Sequence, residues 1–296
     1  MAYPYNPIAS STNPYLNSIL HGTAWNTSAS NGSAAKVITY SIDDGSFAFS
    51  PTQAEAATFT QAESALINSA VQCYENVCDI DFVQVPSGNP NDPENFENIA
   101  FVACNRDMMY FLSGRYLSGA STPPLGDNWF NKFIDIESNN ISAAYINCDA
   151  EYLTQDATLA QGGSAYYLIL HEFGHALGLA HPHENNGRSS VFPGVISSYD
   201  FGDYSLNQAI FTTMSYNIGW QTKFSSLYFE YGHNGTPMAL DIAALQQLYG
   251  ANTAYKTGAD TYVLPTANDI GTFFLAFGTL AGTIQYQIKA HHLPAQ

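Results

Sequence analysis

His171-Glu172-Phe173-Gly174-His175-Ala176-Leu177-Gly178-Leu179-Ala180-His181 is the stretch from which the rest of the chain is read. Two residues four apart on a helix stack on one face, so His171 and His175 can hold one metal ion together. Glu172, one step round, then lies beside whatever fills an open coordination position, the H-E-x-x-H arrangement of zinc sites. Gly178 tolerates positive φ, so the helix can end there and the chain can bring His181 back as a third nitrogen ligand. Three protein ligands and a solvent position make the catalytic zinc pattern, whereas structural sites are closed by four ligands, often thiolates. With eight histidines and 22 glycines in 296 residues, the spacing H-E-x-x-H-x-x-G-x-x-H arises by chance on the order of 10⁻⁵ times per chain. An amphipathic helix with satisfied histidines explains neither the glycine nor the third histidine.

The stretch resembles the metzincin zinc endopeptidases, and Pro182 directly after the third histidine resembles their serralysin branch. A second motif, Thr213-Met214-Ser215-Tyr216, is similar to the serralysin form of the methionine turn that metzincins carry downstream of the zinc helix. The resemblance implies that Met214 lies under the zinc as an apolar floor and that Tyr216 reaches the metal or the reacting oxyanion. Asp241-Ile242-Ala243-Ala244-Leu245-Gln246-Gln247-Leu248-Tyr249-Gly250 resembles the C-terminal helix of serralysin and matrixin catalytic domains. Asn13-Pro14-Tyr15-Leu16-Asn17-Ser18-Ile19-Leu20, followed by Gly22 and Trp25, resembles the short N-terminal helix and tryptophan of serralysins. The likeness covers roughly residues 13 to 264. It implies an α+β metzincin fold: a twisted mixed sheet with a long helix and the active-site helix above the cleft, and a smaller, mostly irregular or helical lower subdomain.

An apolar content of 46% with 14% aromatic residues supports a packed core. The formal charge of −17, from 25 acidic against eight basic residues, disfavours binding to nucleic acid or anionic lipid. No run of eighteen apolar residues occurs, so membrane insertion is not expected. Met1 to Ser11 lacks the basic start and apolar core of a Sec-type signal peptide. Secretion is implied by the family resemblance, with either a mature form or another export route. Cys73, Cys78, Cys104 and Cys148 allow buried free thiols or one or two disulfides, with a metal site on Cys73-x4-Cys78 as a third reading. No cysteine precedes Cys73 in this sequence, so a cysteine-type inhibitory prosegment is not expected.

Four stretches organise the chain: an N-terminal arm over 1–35, an upper catalytic subdomain over 36–182, a lower one over 183–255 carrying the methionine turn and C-terminal helix, and a β-rich extension over 256–296. Residues 1–35, rich in Ser, Asn, Thr, Gly and Pro, read as irregular outside the short helix. Val37–Ile42, Ile80–Val85 and Asn98–Cys104 read as strands, and Gln53 to about Tyr74 as a long amphipathic helix with Phe59, Ala62, Leu66, Ala70 and Cys73 on one side. Pro86 to Glu97 reads as a polar loop. Arg115–Ser121 reads as an edge strand stopped by Pro123-Pro124, and Phe133–Ile136 as another strand. An edge strand offers unpaired backbone groups along which a protein or peptide substrate could lie by β-augmentation. Gly162-Gly163 opens the zinc helix, whose run Ala165–Leu170 is apolar on nearly all sides and is therefore expected to be buried. His183 is expected to be a solvated neighbour and not a fourth ligand. Spacing at Met238, Ile242, Leu245 and Leu248 predicts the last helix, with Asp241 in its first turn.

Serralysins normally continue into calcium-binding nonapeptide repeats. No G-G-x-G-x-D repeat occurs here, and calcium has no support from the sequence. Gly258-Ala259-Asp260-Thr261-Tyr262 resembles the linker into such a module, and Phe273–Ile288 reads as two or three short strands. The expected activity is zinc-dependent endopeptidase, as a monomer: His171, His175 and His181 hold Zn²⁺, Glu172 is the general base, Tyr216 stabilises the oxyanion, and Met214 and Gly178 give structural support. A zinc-containing binding or adhesion module without turnover is the alternative; Glu172 argues against it, because an inert site has no need of a carboxylate beside its first ligand.

Overall fold

The computed structural model describes residues 3–5, 11–26, 36–45, 58–87, 97–104, 119–121, 144–149, 152–153, 159–185, 188–217, 233–255 and 257. Seven strands and four α-helices are assigned among them: β1 Tyr3–Tyr5, α1 Pro14–Asn17, β2 Ala24–Asn26, β3 Val37–Ile42, α2 Gln61–Glu75, β4 Asp81–Gln84, β5 Ile99–Cys104, β6 Gly119–Ser121, β7 Ala144–Asp149, α3 Ser164–Ala176 and α4 Ala239–Tyr249. The expected strand Phe133–Ile136, most of the Pro86–Glu97 loop, the Gly258–Tyr262 linker and the strands within Phe273–Ile288 lie outside the described residues.

β3, β4, β5 and β7 run parallel in a five-stranded sheet of order β4-β3-β5-β7-β6, and β6 pairs antiparallel with β7 at one edge. This is the mixed sheet of the α+β expectation; of the predicted edge strand Arg115–Ser121, the described residues Gly119–Ser121 form β6. β7, which lies between β5 and β6, was not expected. Its sequence, Ala-Tyr-Ile-Asn-Cys-Asp, carries a polar Asn inside a short apolar run and gives little periodic signal. Ile146 and Cys148 are its buried pair.

α2 begins at Gln61 and not at Gln53. Thr60 caps it: its Oγ1 accepts from the Glu63 amide, and Glu63 Oε2 accepts from the Thr60 amide at 2.6 Å, so two amides that a helix start leaves unpaired are satisfied. Its inner face is Leu66, Ile67, Ala70, Val71, Cys73 and Tyr74, while Ala62 is exposed. Cys73 and Cys78 are free, buried thiols whose pKa values burial pushes up. Cys73 Sγ lies 3.2 Å from the Tyr166 hydroxyl, and no cysteine enters a metal-binding group among the described residues.

α3 is seated on the sheet by one aromatic side chain. Phe173 is fully buried, with ring centroids 5.2 Å from Tyr74, 5.2 Å from Phe82 and 5.6 Å from Phe101, which ties the helix to α2, β4 and β5 at once. Burial of such a ring contributes roughly 1.5–3 kcal/mol. Tyr74 adds a hydroxyl bond of 2.7 Å to the Leu170 carbonyl.

Part of the stretch read as an N-terminal arm is built into the core. Ser18, Ile19, Leu20, His21, Thr23, Ala24 and Trp25 are buried, and β1 pairs antiparallel with β2. No helix among the described residues is long and apolar enough to cross a membrane.

Candidate metal centre

α3 places His171 and His175 one turn apart, and the chain then leaves the helix through a tight turn. Leu177 is the C-cap, Gly178 takes φ +102°, and a side chain there would meet the Thr23 carbonyl oxygen at 2.2 Å. Glycine is required on both counts. Three residues later, His181 Nε2 lies 3.0 Å from His171 Nε2 and 3.0 Å from His175 Nε2.

The other nitrogen of each ring fixes which tautomer is present. His171 Nδ1 lies 2.8 Å from the Thr213 carbonyl, His175 Nδ1 2.9 Å from the Leu179 carbonyl, and His181 Nδ1 3.0 Å from Glu184 Oε2. Each of these acceptors needs a proton on Nδ1, which leaves Nε2 with a bare lone pair on every neutral ring. Burial, and then the charge of neighbouring rings, holds His175 and His181 well below the usual histidine range, so both are neutral. With each ring neutral and its proton on Nδ1, three Nε2 lone pairs converge. That arrangement is repulsive by itself and is relieved by a cation at its centre. The donor set fits zinc, whose tetrahedral ligand nitrogens lie about 3.3 Å apart for a Zn–N bond of about 2.05 Å.

Glu172 is buried, at 6% exposure, immediately after the first histidine. Thr213-Met214-Ser215-Tyr216 closes under the helix. Met214 is fully buried, and a Cβ on Gly174 would meet its sulfur at 2.9 Å, which gives the glycine inside H-E-x-x-H a packing reason. The turn is held by Asp241, fully buried at the third position of α4: its carboxylate accepts from Thr212 Oγ1 at 2.6 Å and from the amides of Thr213 at 2.7 Å and Met238 at 2.9 Å. Tyr167 adds hydroxyl contacts to the carbonyls of Thr213 at 3.0 Å and Ser215 at 3.1 Å. Tyr216 is 45% exposed, with its ring 4.7 Å from that of His181 and 6.0 Å from that of His171.

His183 differs from expectation. Only 10% of its side chain is exposed, because its ring is wedged between His181, at 5.1 Å and nearly parallel, and Tyr216, at 4.6 Å. Burial lowers its pKa. It remains outside the group formed by His171, His175 and His181. Glu184 is a supporting residue to which the sequence reading gave no role; it holds His181 Nδ1 with one oxygen and faces His183 Nε2 at 3.6 Å with the other. An acid three residues after a candidate ligand histidine is the signal that could have found it, since ligating histidines regularly donate to a carboxylate. Met238 lies at the N-cap of α4, just outside the helix in which its spacing placed it.

These histidines set a pH dependence for the metal-free protein. Unfolded, His175 and His181 take up protons near the ordinary value of about 6.5; folded, they resist until lower pH. Stability is therefore complete above about pH 6.5 and falls as pH drops below it, by up to about 1.4 kcal/mol per pH unit for each histidine. Thermal unfolding of chelator-treated protein between pH 7.5 and 5 is expected to show a falling midpoint; a flat one contradicts the assignment of neutral buried rings.

No protein-family model matches the chain. It is 29% identical over 245 residues to Serralysin B of Dickeya chrysanthemi, covering 81% of this chain and 44% of that protein. It is 42% identical over 94 residues to Serralysin of Proteus mirabilis, covering 32% of this chain and 18% of that protein. To Metallopeptidase AprA of Pseudomonas marginalis it is 34% identical over 98 residues, 32% of this chain and 19% of the relative. The chain thus spans less than half the length of each of these relatives. It is similar to the serralysins in sequence, and its α+β fold is metzincin-like.

Proposed function

We propose that this chain is a zinc-dependent endopeptidase that hydrolyses internal peptide bonds of proteins. The observation that carries this reading is the convergence of the Nε2 atoms of His171, His175 and His181, with that of His181 3.0 Å from each of the other two and every Nδ1 engaged. When bound there, zinc supplies Lewis-acid polarisation of a carbonyl and acidifies water toward a pKa of about 7. Glu172 takes the proton of the attacking water and returns it to the leaving amine nitrogen, work worth typically about 10²–10⁴-fold. The Tyr216 phenol, half exposed beside His181, donates a hydrogen bond to the oxyanion of the tetrahedral intermediate. Met214 packs beneath, and Gly178 frees the chain to deliver His181. A peptide lies along β6, the sheet edge against which α3 packs. Secretion and a monomeric state belong to the same proposal, the first from the resemblance to serralysins.

Zinc content and casein hydrolysis, measured before and after o-phenanthroline, test the reading. One zinc per chain and cleavage abolished by the chelator are expected. Zinc without cleavage overturns the peptidase, and absence of zinc overturns the ligand assignment.

A further inference from the structure

His171 and His175 are carried by a regular helix, but His181 is delivered by an irregular tripeptide, Gly178-Leu179-Ala180. That tripeptide governs two ligands. The Leu179 carbonyl orients His175 through its Nδ1 at 2.9 Å, and the chain direction after Ala180 places His181. The Gly178 and Leu179 amides bond back to the His175 and Gly174 carbonyls of α3, and the Gly178 carbonyl and Ala180 amide are satisfied by the N-terminal segment. The His21 amide donates to the Gly178 carbonyl at 2.9 Å, the Ala180 amide donates to the Ile19 carbonyl at 3.0 Å, and Leu20 and Leu179 form an antiparallel bridge. On the far side of His181, the Arg188 amide donates to the His21 carbonyl at 2.9 Å. The same residue of the segment is thus bonded both before and after the third ligand.

The segment is anchored at its own end. Trp25 Nε1 donates to the Ala176 carbonyl at 2.8 Å, and the Tyr249 hydroxyl lies 2.6 Å from the Leu177 carbonyl and 3.3 Å from the Trp25 amide. These contacts take up carbonyls that the C-terminus of α3 leaves without helical partners. Close fit is needed on both sides: the Thr23 oxygen fills the space of a Gly178 side chain, and Arg188 Cβ fills that of Gly22, which takes φ +92°.

We propose that Ser18–Trp25 is a positioning strap for the metal centre, so that docking of this segment and binding of zinc are thermodynamically linked. The inference rests on the zinc reading above and adds to it the element that sets metal affinity. Linkage is reciprocal. A docked strap tightens zinc, and zinc tightens the strap. Outer-shell support of this kind typically changes metal affinity by about 10- to 100-fold.

Two variants of the full chain loosen the strap, one at its C-terminal end and one in its middle. Trp25→Phe keeps the ring and removes the bond to Ala176; Gly22→Ala places a methyl against Arg188 on a backbone that resists it. Each is expected to weaken zinc binding, measured by chelator competition, by about tenfold or more, and to lower the thermal midpoint further in the zinc form than in the metal-free form. Equal falls in both forms, or unchanged zinc affinity with faster amide exchange at His21 and Ala180, overturn the proposal and leave the segment as ordinary core. Wild-type protein, which needs no variant to fold, gives the complementary measurement: added zinc is expected to slow hydrogen exchange at the His21, Ala180 and Arg188 amides, and unchanged exchange overturns the linkage. Absence of zinc uptake by the wild type overturns the zinc reading and the linkage together, whereas normal uptake with no effect on these amides overturns the linkage alone.

Discussion

Glu172→Gln is expected to retain one zinc per chain and to lose casein hydrolysis by about 10²–10⁴-fold, the range that a positioned general base contributes. The substitution keeps the shape of a side chain that is 6% exposed and removes only its ability to take a proton. None of the groups that orient the histidines is touched: the Thr213 and Leu179 carbonyls and the Glu184 carboxylate remain where they are. Metal content and thermal midpoint should therefore match the wild type while kcat collapses. Glu172→Asp separates chemistry from geometry, because it keeps the proton acceptor and withdraws it by one methylene, and misplacement of about 1 Å is enough for a loss of about 10²-fold. Cleavage by Glu172→Gln within tenfold of wild type would remove Glu172 from the role of base.

The candidate ligands of this centre were legible because their spacing is a property of one local segment. A helix repeat fixes His171 against His175, and a glycine permits the turn to His181. Strands β3, β4 and β5 were legible for a similar reason, since short β-branched and aromatic runs lie between turn residues. The centre's supports are different in kind. Thr213 reaches His171 from 42 residues downstream, and the strap reaches Gly178 and Ala180 from more than 150 residues upstream, through backbone atoms that carry no residue identity. No side-chain pattern encodes such a bond, so residues 1–35 read as an irregular arm although part of them is core. His183 was misjudged for a related reason: a histidine in a polar turn reads as solvated until tertiary packing puts Tyr216 over it. β7 was missed because its burial is decided by neighbouring strands and not by its own alternation. The start of α2 is the exception, where a local signal, Thr60 followed three residues later by Glu63, was present and the apolar spacing was followed past it.

The residue with the greatest expected effect on stability lies outside the zinc motif. Asp241 is fully buried and accepts from Thr212, Thr213 and Met238, so it joins the start of α4 to the methionine turn. Burial pushes its carboxyl above the ordinary range, and these bonds pull it back down. Asp241→Ala strands one hydroxyl and two amide donors in a dry interior, and each unsatisfied donor costs about 1–3 kcal/mol, for a combined loss of roughly 3–5 kcal/mol after local relaxation. The thermal midpoint should fall by on the order of 10 °C. A second consequence follows from connectivity. The peptide unit that Asp241 holds through the Thr213 amide belongs to the residue whose carbonyl orients His171. Zinc affinity should therefore fall as well, by about 10- to 100-fold. Asp241→Asn offers one acceptor and turns its amide hydrogens toward the remaining donors, so it should recover only part of either loss. A variant that is destabilised yet binds zinc as tightly as wild type would show that the methionine turn keeps its place without α4. A variant as stable as wild type would show that water or a neighbour can replace the carboxylate.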